Sequence, residues 1–110
     1  MISLFLSSVI AVAGLQAGID APRAAFVACL KDASARAESQ KVAADTYQDF
    51  TSSACSVQAA SLKSALVAFD VKNGIKRPTA ESDAEAQLDD YYAMSKEKYE
   101  RKMGGAKPQT

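Results

Sequence analysis

Two cysteines, Cys29 and Cys55, are the residues of this sequence best suited to bond covalently to each other. A redox-active pair usually has the close spacing C-x-x-C, and these two lie far apart. Two cysteines in a chain without histidine would fill only half of a tetrahedral metal site. The pattern therefore favours a structural disulfide over free thiols, redox chemistry or metal binding, and it predicts no metal and no cofactor.

Histidine is absent from all 110 residues, so the most common general base and metal ligand is missing. The 13 basic and 13 acidic residues are spread along the chain and give a formal net charge of zero. A nucleic-acid-binding protein usually carries a basic face, which this balance does not predict. We therefore expect a protein that is not an enzyme and that does not bind nucleic acid.

The N-terminal residues 1–17 contain no charged side chain, and small residues follow their apolar run. This order is typical of a secretory signal peptide, with cleavage after Ala13 or Ala17. No Lys or Arg precedes Arg23, so a start codon further upstream is an alternative. The pattern predicts a signal peptide over 1–17 and an exported protein, periplasmic or secreted.

Three other interpretations of the N-terminus are weaker. An uncleaved membrane anchor would need about 20 apolar residues, and this run is shorter. The segment could instead be a buried first helix. A lipid-carrying Cys29 would need the apolar run to lead directly into it, but Asp20, Pro22 and Arg23 intervene. We expect no stable membrane insertion after cleavage.

Beyond the leader, apolar residues recur at the three-to-four-residue spacing of helices, and no strand-like alternation is seen. We predict an all-α fold, a small three-helix bundle over residues 18–105, with a disordered tail over 106–110. The first helix spans about 21–40, opened by Asp20 as N-cap and Pro22 in its first turn. The second spans about 45–73, with a bend allowed between Ser52 and Ser61.

Asn73 and Gly74 are predicted to end the second helix, since glycine adopts the left-handed conformation of a helix C-cap without a side-chain clash. The third helix is predicted over about 80–103, capped by Thr79 or Ser82 after a loop that contains Pro78. The large aliphatic residues are few, so the core should be thin and helped by a covalent link.

The positions of the cysteines support that link geometrically. If the first two helices form an antiparallel hairpin that turns near Val42, residues equidistant from the turn lie level. Cys29 is 13 residues before Val42 and Cys55 is 13 residues after it. Export to an oxidising compartment would allow the bond to form.

The third helix carries a cluster of Tyr91, Tyr92, Tyr99 and Met103, together with Met94. Tyrosines have an apolar body and a polar tip, so this cluster is a candidate surface for a ligand or partner. Packing in the core fully accounts for the same spacing and is the favoured interpretation. The adjacent acids Asp89 and Asp90 diverge around the helix and do not predict a cation site.

The stretch 65–74, together with 87–92, resembles small exported helical proteins of bacteria that carry no assigned activity. The resemblance spans most of the chain after the leader and implies no functional residues. In size, single disulfide and helical content the chain is similar to periplasmic acid-stress chaperones of the HdeA type, as an architectural analogy. We expect an envelope protein that binds another envelope protein or a peptide, or alternatively a small-ligand carrier that uses its aromatic helix face.

Overall fold

The computed structural model describes the backbone of residues 2–103 and the side chains of residues 18–103. Every regular element of this part is helical: α1 (Ile2–Gln40), a 3-10 turn (Ala44–Thr46), α2 (Tyr47–Ala54), α3 (Ser56–Lys72) and α4 (Arg77–Met103). The predicted all-α class is confirmed. The predicted signal peptide over 1–17 and the tail over 106–110 fall outside the residues whose side chains are described.

Helix α1 does not begin at Asp20 as predicted, because residues 18–21 are already helical and Pro22 lies inside the helix. Proline has no backbone N–H, so Pro22 cannot donate the helical hydrogen bond to the carbonyl of Gly18. The rule that places proline in a first turn therefore misplaced this boundary.

The predicted end of the first helix is confirmed at Gln40. Lys41 follows with φ of +56°, the left-handed conformation that usually selects glycine. Val42 N–H donates to the Ala37 carbonyl at 2.9 Å, and Lys41 N–H donates to Glu38 at 3.2 Å. These two bonds form a Schellman motif, in which the first residues after a helix bond to its last free carbonyl groups.

The second predicted helix is two helices in the structure. The chain leaves helical geometry at Cys55, with φ of −114° and ψ of 21°, inside the interval where a bend was allowed. Cys55 N–H still donates to Thr51, and Ala59 N–H donates to Cys55, so helical bonds reach the junction from both sides. The start at Asp45 is also corrected: a 3-10 turn comes first, and no side chain caps α2.

The predicted stop at Asn73 and Gly74 is confirmed. Gly74 has φ of +94°, its N–H donates to the Val71 carbonyl, and Ile75 N–H donates to Asp70 at 2.9 Å. This is a second Schellman motif, here with glycine at the left-handed position.

Helix α4 begins at Arg77, earlier than predicted, and Pro78 lies in its first turn rather than in a loop. Ala80 N–H donates to the Lys76 carbonyl at 2.9 Å, which starts the helical ladder. Proline at this point loses no hydrogen bond, because the first four N–H groups of a helix have no partner within it. Thr79 and Ser82 therefore lie inside the helix and do not cap it.

The core consists of two clusters of buried side chains. The larger one joins α1, α3 and α4 and contains Phe26, Leu30, Ala33, Cys55, Leu62, Leu66, Val67, Ala80, Ala84, Leu88 and Tyr92. The smaller one contains Ala37, Tyr47 and Tyr99, near the turn between α1 and α2. Four of these core residues are alanines, whose small side chains let helix backbones approach closely but bury little apolar area each. Among the described helices, none is both long and apolar enough to cross a bilayer.

Candidate functional site

An open groove runs between α1 and α4. The two helices lie parallel, since Arg23 contacts Gln87 and, further along, Glu38 contacts Lys102 with the same separation of 64 residues. The groove has a volume of about 870 Å³. Its lining comes from α1 (Val27, Leu30, Lys31, Ser34, Ala35 and Glu38) and from α4 (Tyr91, Met94, Ser95, Glu97, Lys98, Arg101 and Lys102).

The apolar part of the groove is formed by Val27 and Leu30 on one side and by Tyr91 and Met94 on the other. The Met94 side chain is 59% exposed, whereas Leu30 is buried. Phe26 contacts Tyr91 edge to face, with ring centroids 5.6 Å apart, and so holds the tyrosine ring against the core. Methionine in such a position adapts its shape to different partners, which suits a binding surface.

The charged rim of the groove contains more cations than anions. Glu38 lies 3.9 Å from Lys102, and Glu97 lies 3.8 Å from Arg101, so each acid already has a basic neighbour. Lys31 and Lys98 have no carboxylate within ion-pair distance among the described residues. The rim therefore presents two unpaired positive charges beside an apolar floor.

The four residues predicted as a ligand or partner face, Tyr91, Tyr92, Tyr99 and Met103, do not share one environment. Tyr91 lines the groove and is half-buried, and Tyr92 is buried in the larger core cluster. Tyr99 is buried in the smaller cluster, and the Met103 side chain is 42% exposed at the end of α4. Only Tyr91 of this set contributes to the groove.

Tyr99 holds the end of α1 to α4. Its hydroxyl group lies 2.7 Å from the Val42 carbonyl oxygen and 3.1 Å from that of Ala37, and it donates toward both. Its ring stacks on Tyr47 at a centroid distance of 4.1 Å, and the Tyr47 hydroxyl hydrogen-bonds Ser95 at 2.7 Å. Burial raises the pKa of the Tyr99 hydroxyl, and Tyr47 and Glu38 act in the same direction.

The predicted disulfide is confirmed. Cys29 and Cys55 are bonded, and their Cα atoms are 5.9 Å apart, within the usual range for such bonds. The Cys55 side chain is fully buried, and Cys29 packs at the edge of the larger core cluster. The bond links α1 to the junction of α2 and α3, and neither cysteine lines the groove. Its role is therefore to stabilise the fold.

Several groove residues escaped the sequence analysis. Val27, Lys31 and Ser34 on α1 repeat at helical spacing, as do Lys98 and Arg101 on α4. Each run alone is typical of an ordinary half-exposed helix face. Only the parallel placement of α1 beside α4 turns the two runs into one surface.

In the described part of the chain, no three His, Cys, Asp or Glu side chains converge as they would around a metal ion. No protein-family model matches the sequence, and no match was found among curated proteins or solved structures.

Proposed function

We propose that this chain is an exported, non-enzymatic protein of the cell envelope that binds another protein or a peptide through the α1–α4 groove. The observation that carries the proposal is the combination in one place of an apolar floor, the 59% exposed Met94 and the unpaired Lys31 and Lys98. A groove between two helices accepts an amphipathic segment whose apolar side chains enter it, while its acids meet the basic rim.

Two features support the export half of the proposal. A disulfide between Cys29 and Cys55 persists in oxidising compartments such as the periplasm. Pro22 interrupts the ladder of a helix that continues before it. If a signal peptidase cuts after Ala17, Pro22 comes to lie near the start of the helix, where its missing N–H costs nothing.

Intact-mass analysis of the protein recovered from its producing cells tests the export proposal. The expected mass corresponds to a chain beginning after Ala13 or Ala17, with two hydrogens fewer than the reduced form. A full-length chain with reduced cysteines would contradict it, and added mass at Cys29 would indicate lipidation.

The binding proposal is tested by introducing the photo-crosslinking residue benzoylphenylalanine in place of Met94, with Val57 as the matched control. Both side chains are exposed and apolar, but Val57 (74% exposed) lies on α3, away from the groove. Illumination in intact cells should give protein adducts from position 94 and not from position 57. Equal labelling from the two positions, or none from position 94, would refute protein binding at the groove.

A small-ligand carrier is the second candidate, and the groove volume favours it. About 870 Å³ falls within the range of small-molecule sites, and Tyr91 places one aromatic ring of the predicted aromatic face in the wall. Native mass spectrometry of the protein from cells would show a bound molecule that is lost when the exposed groove residue Met94 is replaced by lysine. A protein recovered without any added mass would count against this function.

A further inference from the structure

The two halves of α4 carry opposite net charges. From Arg77 to Asp90 the helix carries five acids and one base, and from Tyr91 to Met103 it carries four bases and two acids. The boundary between the two halves lies close to the exposed Met94. A helix with this polarity is complementary to an antiparallel copy of itself.

Three residues define the centre of the exposed face of α4. Asp90, Met94 and Lys98 are spaced four residues apart, so they lie in a row along one side of the helix, about 6 Å from one to the next. All three are exposed. Asp90 and Lys98 form no ion pair with any side chain in the described part of the chain, so both charges are available to a partner.

We propose that the partner that binds at the α1–α4 groove is a second copy of this chain. The two copies pair through α4 in an antiparallel, two-fold arrangement centred on Met94. A two-fold axis makes each contact occur twice. Asp90 then meets Lys98 of the second copy, Lys98 meets the second Asp90, and the two Met94 side chains touch at the axis. A parallel pairing would set Asp90 against Asp90 and Lys98 against Lys98, so charge selects the antiparallel form.

The same arrangement places the second copy along the mouth of the groove, where Lys98 and Met94 form part of the lining. The inference therefore rests on the proposed function, since both assign protein binding to this face. It narrows the partner from any envelope protein to this chain itself. One helix face on each copy is a small contact, so association should depend on concentration and weaken as salt screens the charges.

A charge-reversal series measured by sedimentation velocity tests the arrangement with the oxidised protein as cells produce it. The unchanged protein should associate to a dimer as its concentration rises. Asp90→Lys and Lys98→Asp should each raise the dissociation constant roughly tenfold or more, because each brings two like-charged pairs together. The double variant D90K/K98D restores opposite charges and should return the dissociation constant toward its original value.

Asp89→Lys is the matched control, because Asp89 has the same charge change and exposure but points to another side of the helix. It should leave association unchanged, and helical circular dichroism should be the same for all variants. A protein that stays monomeric at every concentration overturns the inference. So does a dimer that resists both single reversals, or one that the double variant fails to restore.

These outcomes separate the inference from the proposed function. Adducts from position 94 to other proteins, together with a monomeric purified chain, would leave the binding proposal standing and remove only the second copy as partner. A self-adduct of twice the chain mass from position 94 supports both.

Discussion

A single hydroxyl group, that of Tyr99, connects the first and last helices at the end where α1 turns toward α2. It lies within hydrogen-bond distance of the Val42 and Ala37 carbonyl groups, while the ring is buried against Tyr47. The Ala37 carbonyl already accepts the Val42 N–H, and Val42 lies in the turn beyond α1, so the Tyr99 hydroxyl adds a bond from α4 to this turn. The residue therefore acts as a structural tie and not as part of a ligand surface.

Replacing Tyr99 by Phe tests this role. The variant keeps the buried ring and removes the donor, so we expect the free energy of unfolding to fall by about 1–2 kcal/mol. Chemical denaturation followed by circular dichroism measures the change. Tyr91→Phe is the control, since the Tyr91 hydroxyl has no hydrogen-bond partner among the described residues, and it should change stability little. An equal loss of stability in both variants would contradict a structural role for the Tyr99 hydrogen bonds.

The raised pKa of Tyr99 predicts how stability depends on alkaline pH. The buried hydroxyl keeps its proton in the folded chain at a pH where the unfolded chain, with a tyrosine pKa of about 10, begins to lose it. The contribution of the Tyr99 hydroxyl to the free energy of unfolding is complete below pH 10. It is lost as the pH rises through the pKa that this hydroxyl has in the folded chain. The stability advantage over Tyr99→Phe should therefore narrow above pH 10 in denaturation series, and a constant difference would contradict the assignment.

At the residue scale, the spacing of the tyrosines predicted that they share a side of the helix, but not what each one meets. Tyr92 and Tyr99 lie in the core and Tyr91 borders the groove. The partners of the Tyr99 hydroxyl are backbone carbonyl groups exposed by the turn after α1. Side-chain types do not encode that geometry, so the sequence could not supply it.

Among the elements, the end of α1 carries an avoidable strain. Lys41 holds a left-handed backbone, a conformation that costs a residue with a side chain roughly 1–2 kcal/mol. The equivalent position after α3 is Gly74, where the same motif forms without that cost. The two helix ends therefore use one hydrogen-bond pattern with different residues.

Lys41→Gly should stabilise the protein by about 0.5–1 kcal/mol, because the relief of strain exceeds the extra entropy that glycine has in the unfolded chain. Thermal and denaturant unfolding of the variant measure this. Lys41→Ala removes the same charge but keeps the strain, so it should give no gain. Gly74→Ala should cost about 1 kcal/mol, since its Cβ would meet no atom within 4 Å and only the backbone conformation opposes it.

The element boundaries show where local rules succeed. Asn73 and Gly74 ended a helix as predicted, because glycine in a C-cap acts through its own backbone. The predicted starts of α1 and α4 were wrong for a common reason. The prediction placed Pro22 in a first turn and Pro78 in a loop, whereas a helix accepts proline in its first turn, where no hydrogen bond is lost, and sometimes in its interior, where one is. The break at Cys55 coincides with the covalent bond to α1, a tertiary constraint that helix propensity does not contain.

For the whole molecule, the disulfide adds a covalent link to a core in which four of the fourteen buried residues are alanines. The bond closes a separation of 26 residues, and the chain-entropy model assigns about 3–4 kcal/mol to a loop of this size. Reduction should therefore lower the free energy of unfolding by about that amount, measured by denaturant unfolding with and without a thiol reductant. The double variant C29A/C55A is the control and should not respond to the reductant.

The hairpin of α1 and the helices that follow it was predictable from the sequence, but the groove between α1 and α4 was not. Equal distances from Val42 placed the cysteines level because α1 and the helices that follow it are joined by a short turn. Helices α1 and α4 are not neighbours along the chain, and their parallel alignment depends on the length and path of α2 and α3 between them. No single stretch of sequence carries that register.

The covalent bond across the first turn also decides how the protein responds to proteases. Lys41 is exposed, left-handed and outside any helix, so it is a natural point of attack for trypsin. A cut there divides the chain between Cys29 and Cys55, and the two pieces remain linked through their sulfur atoms. Cleavage would pass unnoticed on a non-reducing gel and become visible as two fragments only after reduction.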